Sequence, residues 1–210
     1  LMAPGYCSFR GKTQVAELTT TPRTAFAQFT FPATESAQIW LHGLSGAPGQ
    51  SLTLAFTGPN ELTGSWQAPL KADGKAWFFV LQTSRPFIAS GLAMGDSLLA
   101  GNREMTASNL RAFMRFPVVA REAIRLRVAF SPVSLAGARR NLRAEGDTWS
   151  LDSLRKGAKA SWDSRLQAIS LPANAEAAPA ALLYTGLFRS LQSPSLAMDI
   201  DSQYRAPNGL

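Results

Sequence analysis

From Lys12 to Phe130 the apolar residues of this chain recur at every second position, and from Ser131 onward at every third or fourth. Ile124, Leu126, Val128 and Phe130 alternate with Arg125, Arg127 and Ala129, and Ala27, Phe29 and Phe31 alternate with Gln28 and Thr30. Ala16 and Leu18, then Ala37, Ile39 and Leu41, then Leu52, Leu54 and Phe56 repeat the pattern. Such alternation marks strands with one face on a core. Breaks fall at Pro32, Gly43, Gly58-Pro59-Asn60, Asp73-Gly74, Arg85-Pro86, Gly101-Asn102 and Pro117. Short strands with turn chemistry at this spacing predict an antiparallel β-sandwich. Asp73-Gly74 suits a tight hairpin between the Trp66 and Trp77 strands. Trp77 and Phe79 share one strand face and are expected in the core. Phe78 and Trp40, on the opposite faces of their strands, are the better candidates for a sugar-stacking platform.

The change of period predicts helices. Ser134 can cap the first, whose face is Leu135, Ala138 and Leu142 and which Gly146 stops. A second runs from Leu151 to Ile169, with Leu151, Leu154, Ala158, Trp162 and Leu166 in line and Arg155, Lys156, Lys159 and Arg165 on its outer face. A third begins near Pro179, tolerated in a first turn because its missing N–H would be unpaired there. It carries Tyr184, Leu187, Phe188 and Leu191 on one face and ends before Pro194. Strands followed by helices predict two domains, residues 1–130 and 131–210.

Composition narrows the function classes. Of 21 basic residues against 14 acidic, 13 lie between Arg103 and Arg165, so the charge of +7 is regional. Most of those arginines occupy the polar side of a periodic pattern, which reads as a solvated face rather than a nucleic-acid footprint. A single cysteine, Cys7, excludes an internal disulfide and a cysteine-based zinc cluster. The single histidine, His42, follows a strand and precedes Gly43, which favours a strand-end residue over a catalytic triad. No apolar run reaches the ~20 residues that span a bilayer.

Beyond the third helix come Asp199, Asp201, Tyr204 and Arg205 within seven positions. Hydrogen-bonding side chains directly after a packed helix either hold a polar ligand or remain solvated. Three stretches in order then bear on the choice: Ala3-Pro4-Gly5-Tyr6 with Thr21-Pro22-Arg23, Phe130 to Arg139 with Asn141-Leu142 and Glu145, and Leu183-Tyr184 through Asp199-Ile200-Asp201 to Tyr204-Arg205. Together they resemble glycoside hydrolase family 92, the calcium-dependent exo-α-mannosidases. Cys7, Ala27-Gln28 and Ser202-Gln203 depart from the family pattern; at the last pair the family tends to have Gly and a basic residue.

The resemblance implies a sandwich followed by helices that begin an (α/α)6 barrel, the chain being an internal piece of a longer protein. It implies removal of terminal α-linked mannose from N-glycans or mannans by an inverting, Ca2+-assisted acid/base mechanism. The acid, the base and the calcium ligands are expected further along than this chain, so no catalytic or metal residue is assigned here. The residues expected to bind substrate are Asp199, Asp201, Tyr204 and Arg205, with Arg205 orienting one of the carboxylates. The partner is then a mannose-containing oligosaccharide or glycoprotein glycan, without nucleic acid or a membrane span, and the compartment is periplasmic or secreted. The alternative is a non-catalytic carbohydrate-binding β-sandwich.

Overall fold

Residues 110–118 show how the alternation becomes architecture: Leu110, Ala112, Met114, Phe116 and Val118 are buried, while Arg111, Phe113 and Arg115 take the other side. The computed structural model describes residues 1–43, 51–67, 76–172, 176–193 and 196–206. Its strands are β1 (Met2–Ala3), β2 (Tyr6–Arg10), β3 (Val15–Thr20), β4 (Thr24–Thr30), β5 (Thr34–His42), β6 (Ser51–Phe56), β7 (Glu61–Gln67), β8 (Ala76–Thr83), β9 (Ala89–Met94), β10 (Ser97–Leu99), β11 (Glu104–Ala107), β12 (Leu110–Val118) and β13 (Ala123–Ser131). The helices are α1 (Leu135–Glu145), α2 (Leu151–Leu166) and α3 (Ala177–Ser190).

The strands form two antiparallel sheets, ordered β1-β2-β3-β4-β13-β8-β7-β6-β11 and β10-β9-β12-β5. Their inner faces share one core, in which Leu54, Leu62, Leu81 and Ile124 of the larger sheet meet Ile39, Leu92, Met114 and Phe116 of the smaller. The expected sandwich is therefore present, with His42 ending β5 and Phe79 in the core. The Asp73-Gly74 hairpin lies outside the described residues, as does Pro194; the strands flanking the former pair with Trp66 opposite Trp77. The register of β12 against β5 shifts between Phe116 and Val118, where Pro117 has no N–H to give the ladder.

The outer face of the larger sheet is polar yet covered, so its charges are paired across strands. Tyr6 Oη donates to Glu17 Oε1 (2.7 Å), Gln28 Nε2 to Glu17 Oε2 (3.0 Å) and Arg125 Nε to Gln28 Oε1 (2.7 Å). A second chain runs from Arg127 Nη2 to Gln82 Oε1 (2.8 Å), then from Gln82 Nε2 to Glu61 Oε2 (2.9 Å), and ends on the Arg139 ion pair with Glu61 (2.7 Å). The arginines expected to be solvated thus tie four strands and α1 together. The hydrogen bond to the Glu17 carboxylate, with burial, raises the Tyr6 pKa.

Burial pushes the Glu61 carboxyl up, but hydrogen bonds from Gln82, Thr57 and Arg139 outweigh it and its pKa is lowered on balance. A carboxyl lowered on folding contributes stability above its unfolded pKa and loses it as the pH falls through the folded one. The destabilisation caused by Glu61→Gln should therefore be full at neutral pH and should shrink on acidification below the ordinary glutamate range. Urea midpoints of the two proteins along that pH series check this; a constant gap would sink it.

Helices cover part of the outer face, α1 over β13 and β8 and α2 over β2 to β4. Leu135, Ala138 and Leu142 of α1 pack on Val80 and Ala129, and the Ser134 hydroxyl caps the helix by accepting from Gly137 N (3.0 Å). Helix α2 crosses β2 and β3 and ends at Leu166, earlier than Ile169. It presses on Gly5, whose φ is +76°; a Cβ there would lie 2.9 Å from Ala158 Cβ. Arg155 stays exposed on α2, and its guanidinium stacks 3.9 Å from the Tyr6 ring centroid. Cover by α2 also explains why Thr19, on the polar side of the β3 alternation, is buried and donates to Gly5 O (2.7 Å). Helix α3 meets α2 through Phe188 and Trp162 (ring centroids 4.8 Å apart), has no buried residue, and leaves Leu182 76% exposed.

Candidate functional site

After α3 the chain returns to the sandwich. Met198 and Tyr204 form an isolated antiparallel bridge, and Asp199 N donates to Gln203 O (2.8 Å), closing a tight loop. Ser202 sits at its tip with φ +65°, a left-handed conformation that costs a side-chain-bearing residue about 1 kcal/mol. That is a physical reason for glycine at this position. Ser202→Gly should raise stability by about 0.5–1 kcal/mol, read by thermal unfolding; an unchanged or lowered stability would show the turn is not strained.

Asp199 is 0% exposed. Its Oδ2 accepts from Ser131 Oγ (2.7 Å) and its Oδ1 from Asn141 Nδ2 (2.9 Å), and both donors are themselves fully buried. Asn141 Nδ2 also donates to Phe130 O (2.7 Å), while its Oδ1 accepts from Ile200 N (2.9 Å). Ser131 Oγ accepts in turn from Val133 N and Ser134 N. Gly137 lies in the first turn of α1, so the carboxyl sits at the positive end of that helix. The lack of a side chain at Gly137 makes room: a Cβ would overlap Asp199 Oδ2 and lie 2.6 Å from Ser131 Oγ.

A second set of contacts holds the same loop. Arg23 Nε donates to Met198 O (2.8 Å), and its Nη1 pairs with Glu145 Oε1 (2.9 Å) at the end of α1. Glu145 Oε2 accepts from Thr21 Oγ1 (2.5 Å) and Arg23 N (2.8 Å). The β3–β4 turn, the inner face of α1 and the loop after α3 therefore meet in one buried knot. These are the three stretches that stand out in the sequence.

The expected ligand residues divide within this geometry. Asp199, expected to accept from sugar hydroxyls, is buried, and donors of the knot occupy both of its oxygens. Arg205 does not orient either carboxylate: its Nη1 and Nη2 donate to Ala76 O (3.4 Å) and Val133 O (3.2 Å), and its guanidinium lies 5.8 Å from the Phe78 ring centroid. The cation beside Asp201 is Arg140, with Nε 2.8 Å from Oδ2; Asp201 is about one-third exposed. Tyr204 is 64% exposed. Arg23, Ser131, Arg140 and Asn141 are the contributors that pattern reading does not assign. The signal for one of them is an asparagine on the apolar face of α1, which must find buried partners.

Beside the loop a cleft of about 750 Å3 opens at one end of the sandwich, lined by Arg23, His42, Trp66, Trp77, Leu196 and Met198 among others. Among the described residues no three His, Cys, Asp or Glu side chains gather as a metal site. The carboxyls of Asp199, Asp201 and Glu145 are each committed to donors of this chain. No calcium ligand is assigned to them.

No curated protein matches the sequence. Solved structures of similar fold include an inverting family GH92 mannosidase from Bacteroides thetaiotaomicron, 22% identical with a TM-score of 0.85, covering 97% of this chain and 28% of that one. A family GH92 α-mannosidase from the same organism is 23% identical with a TM-score of 0.81, covering 94% of this chain and 27% of that one. The latter is also known in complex with mannoimidazole (22% identity, TM-score 0.81, 94% and 27% covered). The chain thus spans less than a third of the length of these structures. Family models match at residues 2–131, for the glycosyl hydrolase family 92 N-terminal domain, and at 137–210, for the family's catalytic domain. With both models laid end to end along it, the chain belongs to glycosyl hydrolase family 92.

Proposed function

We propose that this chain is part of a glycosidase that removes terminal α-linked mannose from N-glycans or mannans with inversion at the anomeric carbon. The two family models in tandem carry this reading, supported by the mannosidases among the similar structures. Inversion needs a carboxylic acid to protonate the leaving oxygen and a carboxylate about 6.5–9.5 Å away to activate water on the opposite face. No residue here is assigned either role. Calcium, held by residues other than these, would supply oxygen coordination to sugar hydroxyls. We place the boundary between the β-domain and the catalytic domain at 130/131, and the protein in the periplasm or outside the cell.

This chain's part is to present the loop. Asp201 and Tyr204, the exposed members, accept from and donate to mannose hydroxyls. Arg205 ties the loop to β8 and to the β13–α1 turn, and Asp199 anchors it from beneath. The test is the intact protein on an aryl α-mannoside, with proton NMR reading the first anomer released. β-Mannose, lost on calcium chelation and restored by calcium, is expected. First-formed α-mannose overturns inversion, activity indifferent to chelation overturns the calcium assignment, and no turnover overturns the mannosidase reading. Asp201→Ala should lower kcat/KM about tenfold or more, equivalent to ~1.4 kcal/mol of transition-state binding, with stability nearly unchanged.

A further inference from the structure

On the solvent side of the smaller sheet the register arranges residues in ranks. Arg111 lies opposite His42, Phe113 opposite Trp40 and Arg115 opposite Gln38. On the other flank Phe113 faces Gly91, and Arg115 faces Ala89. An aromatic rank is therefore bracketed by two ranks that each carry a guanidinium.

The aromatic rank is fixed, its two rings tilted against each other. The rings of Trp40 and Phe113 are 5.3 Å apart at 41°. Gly91 lets Phe113 lie across its strand, since a Cβ there would stand 2.7 Å from the ring. Trp40 Nε1 donates to Gln38 Oε1 (3.0 Å), which locks the indole, yet Trp40 stays 39% exposed on a strand whose neighbouring Ile39 is buried. The arginines differ from each other. Arg111 is 5.6 Å from the Trp40 centroid and pairs with Asp96 (3.2 Å). Arg115 has no acceptor among the described residues for its guanidinium; its Nε, like that of Arg111, is buried without a partner.

An exposed indole with a second ring beside it offers the C–H face of a pyranose an apolar, electron-rich surface. A guanidinium without a counter-charge is a fork for a carboxylate or phosphate. Phe113 and Arg115 are alternate residues on one strand face, about 6.5–7 Å apart. A hexose with a charged substituent on its exocyclic carbon spans that distance. We propose that this face is a second carbohydrate site, separate from the 196–206 loop, that binds an anionic hexose with its ring on Trp40 and Phe113 and its anion on Arg115. The site does not depend on the mannosidase reading.

The probe is glucose 6-phosphate, which is not a mannoside, titrated calorimetrically into the intact protein, with glucose and inorganic phosphate as controls. Glucose 6-phosphate should bind at least about tenfold more tightly than either control. Trp40→Ala and Arg115→Gln should each weaken it about tenfold, Trp40→Phe should retain most of the affinity, and unfolding temperatures should not move. Arg115→Gln should leave glucose binding unaltered. Failure of glucose 6-phosphate to bind, inorganic phosphate binding equally well, or variants that bind like the wild type would each overturn the proposal. So would equal losses in Trp40→Phe and Trp40→Ala.

Discussion

Asp199→Ala should destabilise the protein by about 2–4 kcal/mol, because it strips acceptors from two buried donors at once. Ser131 Oγ and the Asn141 amide have no solvent to turn to. The isosteric Asp199→Asn should not rescue it. One amide orientation sets its NH2 against Asn141 Nδ2, and the other against a Ser131 hydroxyl oxygen that already accepts from two backbone N–H groups. By contrast Asp201→Ala removes a part-exposed ion pair worth about 0–1 kcal/mol. Chemical denaturation of the two alanine variants decides the matter. Equal, small losses would mean the knot is not what holds the loop.

Gly137→Ala is expected to cost about 2–3 kcal/mol, against a gain of about 1 kcal/mol for the same change in an unconstrained helix. The sign reverses because the new methyl group claims the space of the Asp199 carboxyl. The double mutant supplies the check. In an Asp199→Ala background the cost of Gly137→Ala should fall by more than about 1 kcal/mol, the remainder coming from Ser131 Oγ, which still lies 2.6 Å from the new Cβ. Additive losses would show that the strain lies elsewhere.

The residues themselves explain which features were legible beforehand. Alternation along β4, β5, β6 and β13 reports a local geometry, so the sandwich could be read from it, and so could the Ser134 cap and the burial of Phe79, whereas Trp77 is half-buried and lines the cleft. Thr19 misled because it sits on the polar side of its own strand, while a second element, not encoded nearby, covers that side. Asp199 and Asp201 are indistinguishable as i, i+2 acids after a helix. What separates them is Asn141 and Ser131, 58 and 68 residues upstream. The same holds for Arg205: its carbonyl acceptors, Ala76 and Val133, carry no side-chain signature at all.

The span of the buried knot also bears on the rate at which the fold is lost. Arg23 reaches the Asp199 carbonyl across 176 positions and Glu145 across 122, so these bonds close long loops and are expected to form after the strands have paired. Contacts absent from the folding transition state slow unfolding without speeding folding. The knot is therefore expected to act as a kinetic latch: weakening it should shorten the lifetime of the native loop while the time needed to reach it stays the same.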